Sequence, residues 1–276
     1  MTNAEAHSGD VATISNGTVL TSLSGHVLTV TLNRPDARNA VNMDLTIGVG
    51  TALDAAEADP DVWVVILTGA GDRAFCAGAD LKAAARGELT TDDPRLARWG
   101  FAGYVAHAIS KPTIAAVNGF ALGGGTELVL ASDLAVAVDT ATFGLPEVKR
   151  GIVAGAGGAF RLPRQIPQKA AMEAMLTGQP VSAQRALELG LLNRVVSADR
   201  LQETAVELAE AICQNAPLAV QTTKRIALGI IDGRVPAEDQ DWTRTTDETA
   251  AVMRSDDAKE GMRAFAEKRS PEWRGQ

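Results

Sequence analysis

The chain is poor in the residues from which many catalytic and structural motifs are built. Cysteine occurs only at Cys76 and Cys213 in 276 residues, which leaves no disulfide framework. Histidine occurs only at His7, His26 and His107, none in a recognisable nucleophile setting, so Ser-His and Cys-His hydrolases and histidine- or cysteine-ligated metal sites lack their components. His107, on a stretch of helical spacing, reads as a packed or surface histidine. Positive charge is also short: a net charge of −8 argues against nucleic acid or an anionic membrane as the main partner, while a local basic patch for a phosphorylated ligand stays open. No run of about 18 apolar residues is present, since 62–67 is strand-sized and 128–138 is broken by Ser132 and Asp133, so no membrane span is expected. The polar residues 1–10 do not resemble a signal peptide, and a cytoplasmic location is expected. Neither Gly-x-x-x-x-Gly-Lys-Ser/Thr nor a strand-coupled Gly-x-Gly-x-x-Gly occurs, which removes the common nucleotide-binding loops.

What is present is a chain with 46% hydrophobic residues, enough for one sizeable core. Short β-rich runs at 27–32, 62–68, 113–117 and 134–138 alternate with glycine turns and helical stretches, the pattern of an α/β layered core. A helix is expected from an Asn42 cap to Asp59, ahead of Pro60, and another over 93–109, ahead of Lys111-Pro112. From about 168 onward helical spacing dominates, with only 194–196 strand-like. The chain therefore divides into a core at 1–167 and a helical C-terminal region at 168–276, without a flexible linker or a short repeat.

Three small-residue turns in the core carry acids. Gly123-Gly124-Gly125-Thr126-Glu127 follows an apolar run and opens a helical stretch; a helix start presents unpaired N–H groups and the positive end of a dipole. Gly124 is the natural donor there, and Glu127 lies within the same first turn. The bland alternative is a tight strand-to-helix crossing where only glycine fits, with Glu127 a solvated first-turn acid. Phe143-Gly144-Leu145-Pro146-Glu147 supplies the second acid. Cys76-Ala77-Gly78-Ala79-Asp80-Leu81-Lys82 supplies a third turn with room for a flat group and a lysine for a phosphate, although it also reads as a surface loop; Cys76 is expected to be a buried filler. Backbone donors beside two carboxyls suit addition of water to an activated acyl group.

These segments closely resemble the enoyl-CoA hydratase/isomerase family, the crotonase superfamily. The likeness runs over nearly the whole chain, from Leu32-Asn33-Arg34-Pro35 with Arg38-Asn39-Ala40, through Phe75 to Lys82, the two acid-bearing turns and the glycine-rich run from Gly151 to Leu162. It continues through Thr177-Gly178 and Ala186-Leu187-Glu188-Leu189-Gly190-Leu191-Leu192-Asn193 to Lys259-Glu260-Gly261-Met262-Arg263-Ala264-Phe265-Ala266-Glu267-Lys268-Arg269.

The resemblance implies a ββα spiral core with a C-terminal helical region, an acyl-CoA substrate, no separate cofactor or metal, and a role in fatty-acid β-oxidation. It implies that the N–H groups of Ala79 and Gly124 hold the thioester oxygen, where charge develops in an enolate-like transition state. The catalytic glutamates fall on Glu127, mainly on the water at C3, and Glu147, mainly on C2. CoA falls along Ala77, Ala79, Asp80, Leu81 and Lys82, with Phe265 and Lys268 completing the nucleotide site, often for a neighbouring subunit of a trimer or hexamer. Phe101, Tyr104 and Trp99 are candidates for the acyl pocket, Trp99 equally for the core. Two retained acids favour a hydratase over an isomerase, and the Leu145 to Lys149 run also resembles carnitinyl-CoA dehydratases. Val153-Ala154 stands where Ile-Pro is common, and Thr126 where cysteine is frequent. A catalytically silent acyl-CoA-binding protein is the non-enzyme alternative.

Overall fold

The structure, a computed structural model, describes residues 11–14, 17–89 and 92–276. A seven-stranded sheet runs in the order β1 (Val11–Ile14), β2 (Val19–Ser24), β3 (Val27–Leu32), β4 (Val64–Gly69), β6 (Thr113–Val117), β8 (Leu134–Val138) and β11 (Arg194–Val196). The first three strands pair antiparallel and the rest parallel. A four-stranded sheet follows the order β10 (Val181–Ser182), β9 (Thr142–Gly144), β7 (Phe120–Leu122) and β5 (Ala74–Cys76), with β5, β7 and β9 parallel. β4 and β6 are buried along their whole length, as expected for inner strands of a parallel sheet whose faces are both covered.

Helices cover these sheets: α1 (Met43–Ala58), α2 (Leu81–Ala85), α3 (Arg95–Trp99), α4 (Gly124–Ala131), α5 (Gly158–Gln165), α6 (Gln168–Thr177), α7 (Ala183–Glu188), α8 (Leu201–Cys213), α9 (Pro217–Leu228), α10 (Asp239–Met253) and α11 (Asp256–Glu267). The Asn42 side chain accepts the Leu45 N–H and starts α1, so the α/β core and this cap match expectation. Among the described residues no helix is long and apolar enough to cross a membrane.

The single helix expected over 93–109 is not formed. The segment is α3 followed by a short 3₁₀ turn at Phe101–Gly103, with Gly100, Ala102 and Gly103 all at positive φ. A Cβ on Gly103 would run into the Thr46 carbonyl and Gly50 of α1, so backbone must pass backbone where a continuous helix would not fit. Trp99, wholly buried, covers Gly50 of the same helix.

Candidate active site

Three turns meet because three parallel strands end side by side. β5 pairs with β7 through Cys76 and Ala121, and β7 pairs with β9 through Ala121–Phe143 and Leu122–Gly144. The chain then leaves β5 through Ala77-Gly78-Ala79, β7 through Gly123-Gly124, and β9 through Leu145-Pro146-Glu147. Ligands in open parallel sheets lie at such carboxyl ends.

The first two turns press together. A Cβ on Gly78 would stand 3.2 Å from the Leu122 carbonyl oxygen and 3.3 Å from the Gly124 nitrogen. Gly124 is the first residue of α4, and its N–H, like that of Ala79, donates to no acceptor among the described residues. The flanking groups are engaged: Val41 N–H donates to the Gly78 carbonyl and Asp80 N–H to the Val41 carbonyl. The Phe101 ring lies over Gly124, where a Cβ would clash with it. Two unpaired donors under an aromatic lid, in adjacent turns, can hold one developing oxyanion.

Glu127 is not the solvated first-turn acid that the bland alternative allowed. It is only 3% exposed, and its Oε1 accepts the N–H groups of Ala156 at 2.7 Å and Gly158 at 2.8 Å. Gly158 has no room for a side chain, since a Cβ would stand 3.0 Å from Glu127 Oε1 and 2.9 Å from Leu145 Cδ1. Glu147, at the start of the 3₁₀ turn Pro146–Arg150, lies against Gly123, and its Oε2 is buried without a hydrogen-bond partner. Burial, then the charge of Glu147, push Glu127 up to about 8, against the pull of its two N–H donors and Arg161; burial pushes Glu147 up to about 7. Both carboxyls thus hold a proton more readily than an exposed glutamate does, which suits proton exchange with a substrate.

Residues 151–161 do more than their glycine content announces. Arg161 spans the wall behind Glu127: its Nε and Nη2 donate to Glu238 at 3.0 and 2.6 Å and its Nη1 to the Val105 carbonyl at 2.7 Å. Phe160 and Trp242 of α10 pack edge to face beside it, and Trp242 closes over Gly157. The glycine-rich run is visible in the sequence, but which of its N–H groups point at Glu127 is not.

The remaining candidates fall in separate places. Asp80 is occupied, capping α2 through the Lys82 and Ala83 N–H groups and pairing with Arg34 at 2.9 Å, while Leu81 and Lys82 are exposed beside the Ala77–Ala79 turn. Phe265 is half exposed beneath the Arg150 guanidinium, 4.2 Å from its ring centre, because α11 packs on the turn that carries Glu147. Lys268 ends that helix in a left-handed conformation. No hydrogen bond or ion pair joins these two to the Ala77–Lys82 turn among the described residues. Trp99 is core, and Tyr104 bonds Ser132 at 2.8 Å and lines a cavity of about 1090 Å³ between α9, α10 and the core. Glu127 and Glu147 do not line that cavity, and several of its acids and bases are tied in pairs such as Lys224–Asp133 and Arg161–Glu238. His107 is packed between Trp99, Asp54 and the Gly103 carbonyl, and Cys76 is a wholly buried thiol that burial pushes up to about 12.

Comparison with known proteins agrees with this geometry. The profile of the Enoyl-CoA hydratase/isomerase family matches residues 22–276. The carnitinyl-CoA dehydratase of Proteus mirabilis is 44% identical over 91% of this chain and 96% of its own. A carnitinyl-CoA hydratase structure from Mycobacterium avium superposes with a TM-score of 0.91 at 55% identity, covering 94% of this chain and 99% of the other. An enoyl-CoA hydratase structure from Mycobacterium tuberculosis gives 0.72 at 45% identity over the same shares. With the profile spanning nearly all of the described fold and relatives this similar along their whole length, the chain belongs to the enoyl-CoA hydratase/isomerase family.

Proposed function

We propose that this protein is an acyl-CoA hydro-lyase that adds water reversibly to a trans-2-enoyl-CoA to give the 3-hydroxyacyl-CoA. The observation that carries the reading is the convergence of two buried carboxyls, both raised toward neutrality, with two unpaired backbone donors at three adjacent strand ends. The thioester oxygen sits between the Ala79 and Gly124 N–H groups, which withdraw electrons from C3 and stabilise the enolate-like state. Glu127, with Oε1 pinned by two N–H groups, keeps Oε2 for the water; it takes the water proton as oxygen bonds to C3, and Glu147 delivers a proton to C2. Dehydration runs the same transfers backward. Because the carboxyls interact, their apparent titration belongs to the pair.

CoA lies along Ala77, Ala79, Asp80, Leu81 and Lys82, and Phe265 and Lys268 complete the nucleotide end across a subunit boundary. Exposed apolar side chains on and after α9, including Leu218, Ile226 and Ile231, support assembly as a trimer or hexamer.

A second reading keeps the chemistry and changes the acyl group. The carnitinyl-CoA relatives are more similar in structure than the enoyl-CoA hydratase named above, which favours an acyl chain bearing a quaternary ammonium. Hydration assays with crotonyl-CoA, a longer enoyl-CoA and crotonobetainyl-CoA separate the readings. Turnover of crotonobetainyl-CoA alone selects the second, and binding of all three without turnover would mark a silent acyl-CoA binder.

A further inference from the structure

The side chain before Glu127 ties the two acid-bearing turns to each other. Thr126 is only 2% exposed, and its hydroxyl has partners on both neighbouring strands. Oγ1 lies 2.7 Å from the Ala121 carbonyl of β7, and the Gly144 N–H of β9 donates to it at 3.0 Å. A hydroxyl has one proton and two lone pairs, so it donates to Ala121 while accepting from Gly144; the Gly144 carbonyl, also 3.0 Å away, competes for that proton and is already held by the Gly123 N–H at 2.8 Å. The peptide of Gly144 is thus held at both ends by the turn that carries Glu127. It lies three residues before Glu147, and a Cβ there would stand 3.0 Å from the Pro180 Cα, tighter than an ordinary contact.

We propose that Thr126 is a positioning residue for the acid pair, its hydroxyl fixing the end of β9 against the start of α4 and so the separation of the Glu127 and Glu147 carboxyls. This rests on the two-glutamate reading above. The threonine does not touch substrate; it acts through the strand ends. A thiol at this position is larger and a weak donor, and a methyl group leaves the Ala121 carbonyl and the Gly144 N–H unmatched in a buried place. Either change weakens or removes the side-chain hydrogen bonding that joins the two turns. The charged or titratable groups that bear on Glu127 are Glu147 and Arg161; the nearby Cys76 thiol stays neutral over the working range.

The test compares Thr126→Val, Thr126→Cys and Thr126→Ser, each checked for folding and for affinity toward the product CoA thioester. Loss of the link is expected to lower kcat about tenfold to a hundredfold in the Val and Cys proteins, with KM within about threefold. The limbs of their pH–kcat profiles move, and the Ser protein matches the wild type in both respects. A residue that only holds the fold together would lower Tm and leave the limbs in place. Wild-type kcat and limbs in either the Val or the Cys protein would overturn the proposal, as would a Ser protein as impaired as the Val protein; if the Val protein does not fold, the Cys protein decides. Titration of isotope-labelled glutamate carboxyls by infrared spectroscopy gives a readout independent of turnover. If the wild type hydrates no enoyl-CoA the assigned reaction fails, yet an altered carboxyl titration in the Cys protein still supports the link, and an unaltered one overturns it.

Discussion

Glu147 reaches across to Gly123 so closely that a Cβ on the glycine would stand 2.8 Å from Oε1. Gly123 also sits at φ +57, in a backbone region that side-chain-bearing residues rarely enter, and it caps the helix that carries Glu127. A side chain at this position would therefore strain the backbone and displace the Glu147 carboxyl. Gly123→Ala is expected to cost about 1–3 kcal/mol of stability, a Tm drop of roughly 2–12 °C. The folded fraction should lose kcat at least about tenfold as Glu147 is pushed aside. Calorimetry and steady-state hydration check this, and an unchanged kcat would show that the contact is incidental.

Glu127→Gln and Glu147→Gln should each lower hydration by about two to four orders of magnitude with little change in CoA affinity, the usual effect of removing a general acid or base. The double variant should fall only modestly below the worse single one, because the carboxyls act as a unit. Near wild-type turnover in either single variant would remove that residue from the chemistry.

Stability should depend on pH through the same pair. Both folded-state values lie above the ordinary value of 4.5, at about 8 for Glu127 and about 7 for Glu147, because burial disfavours the charge. Between the unfolded and folded values the native state binds more protons than the unfolded chain, so this contribution to stability is full below about 4.5 and is lost as pH rises through 7 and 8. Tm should decline over that window, and the decline should flatten in Glu127→Gln. A decline of equal slope in that variant would place its cause elsewhere.

At the nucleotide end, Lys268→Ala should raise KM for acyl-CoA with kcat nearly unchanged, since a phosphate contact is present in ground and transition states alike. The difference from wild type should shrink as salt is added. Equal KM values at low ionic strength would leave Lys268 a surface charge.

Leu218 and Ile226 are 75% and 77% exposed on α9, an arrangement expected to be covered in an assembly. Sedimentation should give about three or six times the 28.8 kDa chain, with activity falling on dilution into monomers. A fully active monomer would return Phe265 and Lys268 to the site of their own chain.

Local features are legible in the order of residues. Asn42 announces α1 because a cap is a bond between a side chain and a backbone group three residues away. The apolar runs of β4 and β6 read as buried strands because β-branched residues in continuous runs suit an inner parallel strand. The failure at 93–109 shows the limit: its spacing is helical, but Gly100 and Gly103 adopt positive φ, and Gly103 answers to the backbone of α1, a segment far earlier in the chain.

The sequence by itself marked two acids, Glu127 and Glu147, each behind a glycine turn, because residue type and spacing along the chain are enough to place an acid at the start of a helix or a turn. It also marked the glycine-rich run that follows them. Only the tertiary structure decided that Glu127 is buried and held by Ala156 and Gly158, that Glu147 reaches Gly123, and that Gly78 comes beside Gly124. Those contacts depend on three parallel strands ending in register, and parallel strands are joined by long crossovers, so their alignment is a property of the packed sheet and not of any segment read alone.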